Sequence, residues 1–311
     1  RLEHLLVDRL HIPGRNETQF GTLQQFVANQ PNLTRLSLDS SFSDNMLEPF
    51  CDWLKSQAHL TIFLDTDPEV SKLMPTFNLE CPSISNWIIK SRNIPKEAEL
   101  TKICNAHQTL SFKTLVVDPT QASPELCNMF PMVLKLLPNL EHLAINSPFP
   151  IPRFLESVQA PLTHLNTLVL DIAGNTPQLM ESLLDAAHFL PALTELSLFH
   201  LMPRPGPVFT TLFHGLSNQL SGLRSLKLRG AKMKTLIGEL HSLITYIKST
   251  PLQIELRSLE FNASDSPELF DLLEEFASLI PSLAQVDIQY QALQQILKKK
   301  RTLAQLAISP L

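Results

Sequence analysis

The chain has 311 residues, more than one ordinary globular core encloses, so it is either two domains or a solenoid that grows by adding units. Its formal net charge is −5 and its pI about 6.1, which supplies no basic excess for nucleic acid. No uninterrupted apolar run is long enough to span a membrane, so no membrane role is expected.

Read from the start, one apolar spacing returns throughout. The pattern L-x-x-L-x-L is clearest at Leu140-Glu141-His142-Leu143-Ala144-Ile145. It recurs as Leu2/Leu5/Val7, Leu33/Leu36/Leu38, His59/Ile62/Leu64, Ile84/Trp87/Ile89 and Phe112/Leu115/Val117 before that point. After it come Leu165/Leu168/Leu170, Leu193/Leu196/Leu198, Leu223/Leu226/Leu228, Leu256/Leu259/Phe261, Leu283/Val286/Ile288 and Leu303/Leu306/Ile308. The segment at His59 is the weakest of the twelve, because histidine replaces its first apolar residue. Alternation of apolar and polar residues predicts strands with one buried face.

Between the strands lie amphipathic runs. Ser123-Pro124-Glu125-Leu126, Thr176-Pro177-Gln178-Leu179 and Ser266-Pro267-Glu268-Leu269 each open one. Ser or Thr suits an N-cap, Pro the first helical position, and Glu the positive end of the dipole. After Ser266 the spacing of Leu269, Leu272, Leu273, Phe276 and Ile280 predicts a helix. Leu137-Pro138, Leu190-Pro191 and Ile280-Pro281 end helices ahead of the next strand. One unit is thus a strand, a turn, a helix and a proline stop, and it buries its apolar face only against a neighbour.

This pattern resembles the leucine-rich repeat family, in particular its large, helix-containing intracellular repeats. The resemblance covers nearly the whole chain and implies an α/β solenoid over residues 1–311: a curved parallel β-sheet on the concave side, helices on the convex side. At about 4.8 Å per strand, twelve units give an inner arc of roughly 50 Å. The family's asparagine or cysteine after the strand is missing; Ser41, Thr120, Pro148, Ala173 and Ala231 occupy such places. The loops must therefore satisfy their backbone groups individually. The L-P-x-L-x-x-L units and Cys81-Pro82-Ser83-Ile84 look like repeats in F-box proteins, the substrate receptors of cullin-type ubiquitin ligases. No F-box precedes Leu2, and Ser266-Pro267-Glu268-Leu269-Phe270, which looks like an F-box start, falls where the period demands an ordinary helix.

Chemistry-bearing motifs are missing from the sequence. It has no HExxH, Walker A loop or GxGxxG; Gly215-Leu216-Ser217-Asn218-Gln219 lacks the second glycine of a nucleophile elbow. With 8 glycines and ten histidines scattered without ligand spacing, no cofactor, metal or small-molecule substrate is expected. Cys51, Cys81, Cys104 and Cys127 form no CxxC pair, and Arg1-Leu2-Glu3-His4 does not read as a signal peptide. Reduced thiols in a cytoplasmic or nuclear protein follow, against the weak secretory signal of the sequons at Asn16, Asn32 and Asn262.

The expected function is non-enzymatic protein recognition. The repeat resemblance puts the polar positions between the strand leucines on the concave face. One column follows the last strand residue: Asp8, Asp39, Asp65, Lys90, Asp118, Asn146, Asp171, Phe199, Arg229, Asn262, Gln289, Ser309. Its aspartates either end strands by bonding their own turn backbone or form an acidic stripe for a partner with a basic patch. Lys227 and Arg229 reverse the sign. The loops at 147–153 and 201–207 are proline-rich and leave the same ends of their strands, which makes Phe149, Met202 and Arg204 anchor candidates. Lys298-Lys299-Lys300-Arg301 is either a solvated helix terminus or an anionic contact or nuclear address. The apolar end Pro310-Leu311 calls for a covering partner or further residues. The readings to separate are a ligase substrate receptor, a bacterial effector or scaffold on the same fold, and an enzyme with a site in the rim loops.

Overall fold

The computed structural model describes residues 3–12, 17–42, 44–57, 59–66, 75, 78–79, 82–90, 97–118, 124–146, 161–171, 176–199, 208–229, 233–250, 255–262, 267–289 and 306–307. They form a mixed α/β protein in which strands and helices alternate. The order is β1 His4–Ile12, α1 Glu17–Ala28, β2 Arg35–Phe42, α2 Asp44–Ser56, β3 Thr61–Thr66, β4 Asn86–Lys90, α3 Glu97–Asn105, β5 Thr114–Asp118, α4 Pro124–Lys135 and β6 His142–Ile145. Then follow β7 Thr167–Asp171, α5 Thr176–Asp185, β8 Glu195–Phe199, α6 Val208–Asn218, β9 Ser225–Arg229, α7 Met233–Ser249, β10 Ser258–Asn262, α8 Pro267–Leu279, β11 Gln285–Gln289 and β12 Leu306–Ala307. Each of the twelve apolar segments holds a strand. No helix among the described residues is long and apolar enough to cross a membrane.

The chain divides into two compact units, Arg1–Ala144 and Ile145–Leu311. In the first, β1, β2 and β3 form one parallel sheet; β4 pairs in parallel with β5, and β6 lies on the other side of β5. A single bridge, Ile62 to Ile84, links β3 to the residues ahead of β4. In the second, β7 to β12 are neighbours in sequence order, all parallel.

Register follows the repeat. Leu168 partners Leu196, Leu196 partners Leu226, and the line runs on through Leu259, Val286 and Leu306. In the first unit Leu36 partners Ile62, and Trp87 partners Leu115. Leu36, Ile62, Trp87, Leu115, Leu168, Leu196, Leu226 and Leu259 have no measurable exposure. Each such leucine or isoleucine contributes about 1.5–3 kcal/mol by leaving water. A one-residue slip would put the whole row on the other face, so burial of one face holds the register.

The helices supply the other half of each core. Phe20 of α1 meets Phe50 and Trp53 of α2 at centroid distances of 5.9 and 5.5 Å. Trp87 stacks on Phe112 at 5.5 Å, and Phe213 of α6 meets Phe276 of α8 edge-on at 5.5 Å. Leu269, Leu272, Leu273, Phe276 and Ile280 are all buried, as the helical spacing predicts.

The helix-stopping prolines have a second role. Leu140 N–H donates to Leu137 O, Leu193 N–H to Leu190 O, and Leu283 N–H to Ile280 O. Each bond closes a four-residue turn with proline at its second position, where fixed φ suits the turn. Beyond the turn, one carbonyl per unit accepts two amides from the next. Asn166 O takes Thr194 and Glu195 N–H, Thr194 O takes Arg224 and Ser225 N–H, and Arg224 O takes Arg257 and Ser258 N–H. Glu3, Ser85 and Lys113 carbonyls do the same in the first unit. Backbone is therefore satisfied regularly at the entry ends of the strands, without a shared side chain. Asn78, 2% exposed, adds a local clamp: it donates to Ile84 O and accepts from the N–H and hydroxyl of Ser111.

Two repeat positions differ from the sequence reading. Leu60, not His59, fills the first apolar place of β3: it is 2% exposed and closes the turn to Gln57, while His59 is exposed. The segment is one residue short, so the neighbouring leucine takes the site. Asp8 has no register partner, because the β1–β2 register shifts between Val7 and Leu10.

Candidate functional site: the outer faces of the parallel sheets

Alternation along each strand puts the residues between the buried leucines on the opposite face. In the second unit this face carries three rows across β7 to β11. The first is Thr167, Glu195, Ser225, Ser258 and Gln285; the second is Val169, Ser197, Lys227, Glu260 and Asp287. The third begins with the pair Asp171–Phe199 and continues with Arg229, Asn262 and Gln289. Asp171, Phe199 and Lys227 are half-buried. Ser197 and Glu260 are 6% and 7% exposed, so neighbouring side chains shelter the middle of this face.

Lys227 has Ser197 as its partner on one side and Glu260 on the other. The sign reversal read at Lys227 is thus balanced locally by an acid one strand away. Glu260 was not named from the sequence, because single-strand periodicity does not show which residues become neighbours across strands. Arg229 partners Asn262, and its description extends to the backbone.

In the first unit the same face of the three-stranded sheet holds Arg35 beside Thr61, Ser37 beside Phe63, and Asp39 beside Asp65. Asp118 of β5 partners Lys90 of β4, so the acidic column meets a cation there. For Asp39, Asp65 and Asp118 the description extends to the backbone; their register places them in the column, Asp39 and Asp65 as direct neighbours. Phe149, Met202 and Arg204 lie outside the described residues, as do the Lys298–Arg301 run and Pro310-Leu311. The sequence reading missed a different feature here. Leu6, opposite Ser37, is 75% exposed, and the Arg35 guanidinium carbon lies 4.1 Å from the centre of the Phe63 ring.

Ion pairs join successive repeats at the strand entries: Lys113 to Glu141 at 2.8 Å in the first unit and Arg224 to Glu255 at 2.7 Å in the second. They are solvent-exposed and contribute little to stability. On the helices, His214 Nδ1 is 2.7 Å from the Tyr246 hydroxyl and its Nε2 is 3.2 Å from Asn218 Nδ2, which clips α6 to α7. Among the described residues no group of three or more His, Cys, Asp or Glu could hold a metal ion. The described sheet faces offer hydrogen bonds, charges and apolar contacts, the chemistry of binding.

No family model and no curated protein matches this chain.

Proposed function

We propose that the chain is a leucine-rich-repeat solenoid acting as a non-enzymatic protein-recognition scaffold, with the sheet faces opposite the leucines as its binding surface. One observation carries the reading: the two faces of the same sheets vary differently. The buried line stays apolar from Leu168 through Leu196 and Leu226 to Leu259, while its neighbour on the other face changes from Val169 through Ser197 and Lys227 to Glu260. A constant core supporting a changing face is what a binding scaffold requires. Lys227 lies beside Glu260 on that face, and such placed charges select partners by charge as well as shape. The polar rows, half-buried and held by strands, lose little conformational freedom on binding.

The test is affinity purification with mass spectrometry, comparing wild type with Asp118→Lys and Asp171→Lys. These reversals should each remove a specific protein from the bound set while far-UV circular dichroism stays unchanged. Leu143→Ala, a core truncation, should instead cost about 2–5 kcal/mol of stability. A bound set indifferent to both reversals would end the recognition reading. Co-purification of a cullin and its adaptor would assign the scaffold to a ubiquitin ligase.

A further inference from the structure

The strands of the first unit do not join evenly. β2 pairs with β3 from Arg35–Thr61 to Ser40–Thr66, and β4 with β5 from Asn86–Thr114 to Lys90–Asp118. Between β3 and β4, which edge separate sheets, the described residues make the one bridge Ile62–Ile84. Its register is also out of step. In the ladders on either side the second apolar place of one repeat meets the second of the next, as Leu36 meets Ile62 and Trp87 meets Leu115. Ile62 instead meets Ile84, the first apolar place of its repeat, three residues before Trp87. The apolar row therefore steps by about 10 Å along the strands. Trp87, at the step, is fully buried, and its indole N–H has no hydrogen-bond partner. The closed step thus carries a cost that the regular ladders do not. A few bonds hold it shut. Ile62 N–H donates to Ser83 O at 2.9 Å, and Ile62 O accepts the Ser85 N–H at 2.9 Å and the Ser85 hydroxyl at 3.2 Å. Asn78 pins the far side: its Nδ2 donates to Ile84 O at 2.9 Å and its Oδ1 accepts the Ser111 N–H at 2.6 Å.

We propose that the β3–β4 step is a joint built into the fold. β1 to β3, with α1 and α2, turn as one body against β4 and β5. The Ile62–Ile84 bridge is the pivot, and Asn78 is the clasp that holds Ile84 in place. Contacts of Phe20 with Phe50 and Trp53 keep the first body together, and the β4–β5 ladder keeps the second. Motion at the joint changes the angle between two parts of the outer sheet face. A partner lying across both parts has to stop that motion, so the stiffness of the joint enters its affinity.

Hydrogen exchange of the whole chain, read at single amides, tests it. Ile62 and Ser85 are buried and their amides are hydrogen-bonded, so a rigid step would protect them as well as Leu110 and Thr114, bonded at 2.8 and 2.9 Å. A working joint should make Ile62 and Ser85 exchange about tenfold faster or more. Local opening exposes little surface, so low urea should leave that pair unchanged while it speeds Leu110 and Thr114. Leu143→Ala, which lowers global stability, should likewise speed only Leu110 and Thr114. Asn78→Ala should speed Ile62 and Ser85 by about a further tenfold, and the other pair less. Acrylamide quenching reads the same opening from the two tryptophans. With Trp53→Phe leaving Trp87 alone, Asn78→Ala should raise quenching about threefold or more; with Trp87→Phe leaving Trp53 alone, it should not. Equal protection of the four amides, or an equal urea dependence, overturns the proposal. So does an Asn78→Ala effect that falls alike on both pairs of amides and both tryptophans.

Discussion

Gly215 of α6 shows how closely neighbouring units approach. A Cβ built there would lie 1.9 Å from Leu184 Cδ2, 2.6 Å from Cδ1 and 2.8 Å from Cγ. Gly215→Ala improves helix propensity by about 1 kcal/mol, but the methyl must displace a packed side chain, a change that costs about 1–3 kcal/mol. The clash involves three carbons rather than one rotatable tip, so the second effect should win. Urea unfolding should show a lower midpoint for Gly215→Ala, and a higher one would mean that Leu184 moves aside freely. Nothing in the local sequence marks this site, since Gly215 reads only as a poor helix former. His107 is similar: after α3 it adopts φ 53°, a place where glycine is usual, and no neighbouring residue announces it. Leu60 was hidden for another reason. A template of fixed spacing points to His59, and only the shortened turn puts leucine in the apolar site.

At the scale of the element, strands and helices were legible because one-sided burial imposes a period on the residues. Each of the twelve apolar segments holds a strand, and the starts of α4 and α8 follow from their Ser-Pro-Glu openings. What joins elements across units was not legible. The carbonyl that accepts two amides belongs to Asn166, Thr194 or Arg224, residues with no side-chain chemistry in common, because the bond uses only backbone. The start of α6 depends on a distant residue in the same way. Glu239 of α7, 6% exposed, accepts from the Phe209 N–H at 2.9 Å, so one helix caps the first turn of the one before it. The carboxylate satisfies an amide that the helix leaves unpaired and complements the dipole there. Glu239→Ala should destabilise the protein by about 1–3 kcal/mol, the cost of a buried donor left without a partner. Glu239→Gln keeps an acceptor oxygen and should recover most of that loss in the same denaturation assay. Equal losses for the two would show that packing, not the bond to Phe209, is what Glu239 supplies. The candidate site shares the limitation on legibility: Asp171, Phe199 and Lys227 could be named from strand position, whereas Glu260 beside Lys227 and Arg35 over Phe63 needed the register between strands.

For the whole molecule, the question is whether the two units unfold together in solution, and the aromatic residues are placed to answer it. Both tryptophans, Trp53 and Trp87, belong to the first unit and are buried, and both tyrosines, Tyr246 and Tyr290, belong to the second. Tryptophan emission therefore follows the first unit alone, while far-UV circular dichroism follows all helices. Trp87 has a buried indole N–H with no partner, so its environment changes sharply when water enters. In a continuous solenoid each unit is stabilised by its neighbours, and damage at one place is felt along the stack. Leu196 lies in the second unit with no measurable exposure, and Leu196→Ala should cost about 2–5 kcal/mol. If the chain is one solenoid, this change lowers the urea midpoint of the tryptophan transition as well as that of the dichroism. If the two units fold independently, the tryptophan midpoint stays at its wild-type value while part of the dichroism melts earlier. The proposed solenoid requires the first result, since a strand–helix repeat buries its apolar face only against a neighbour.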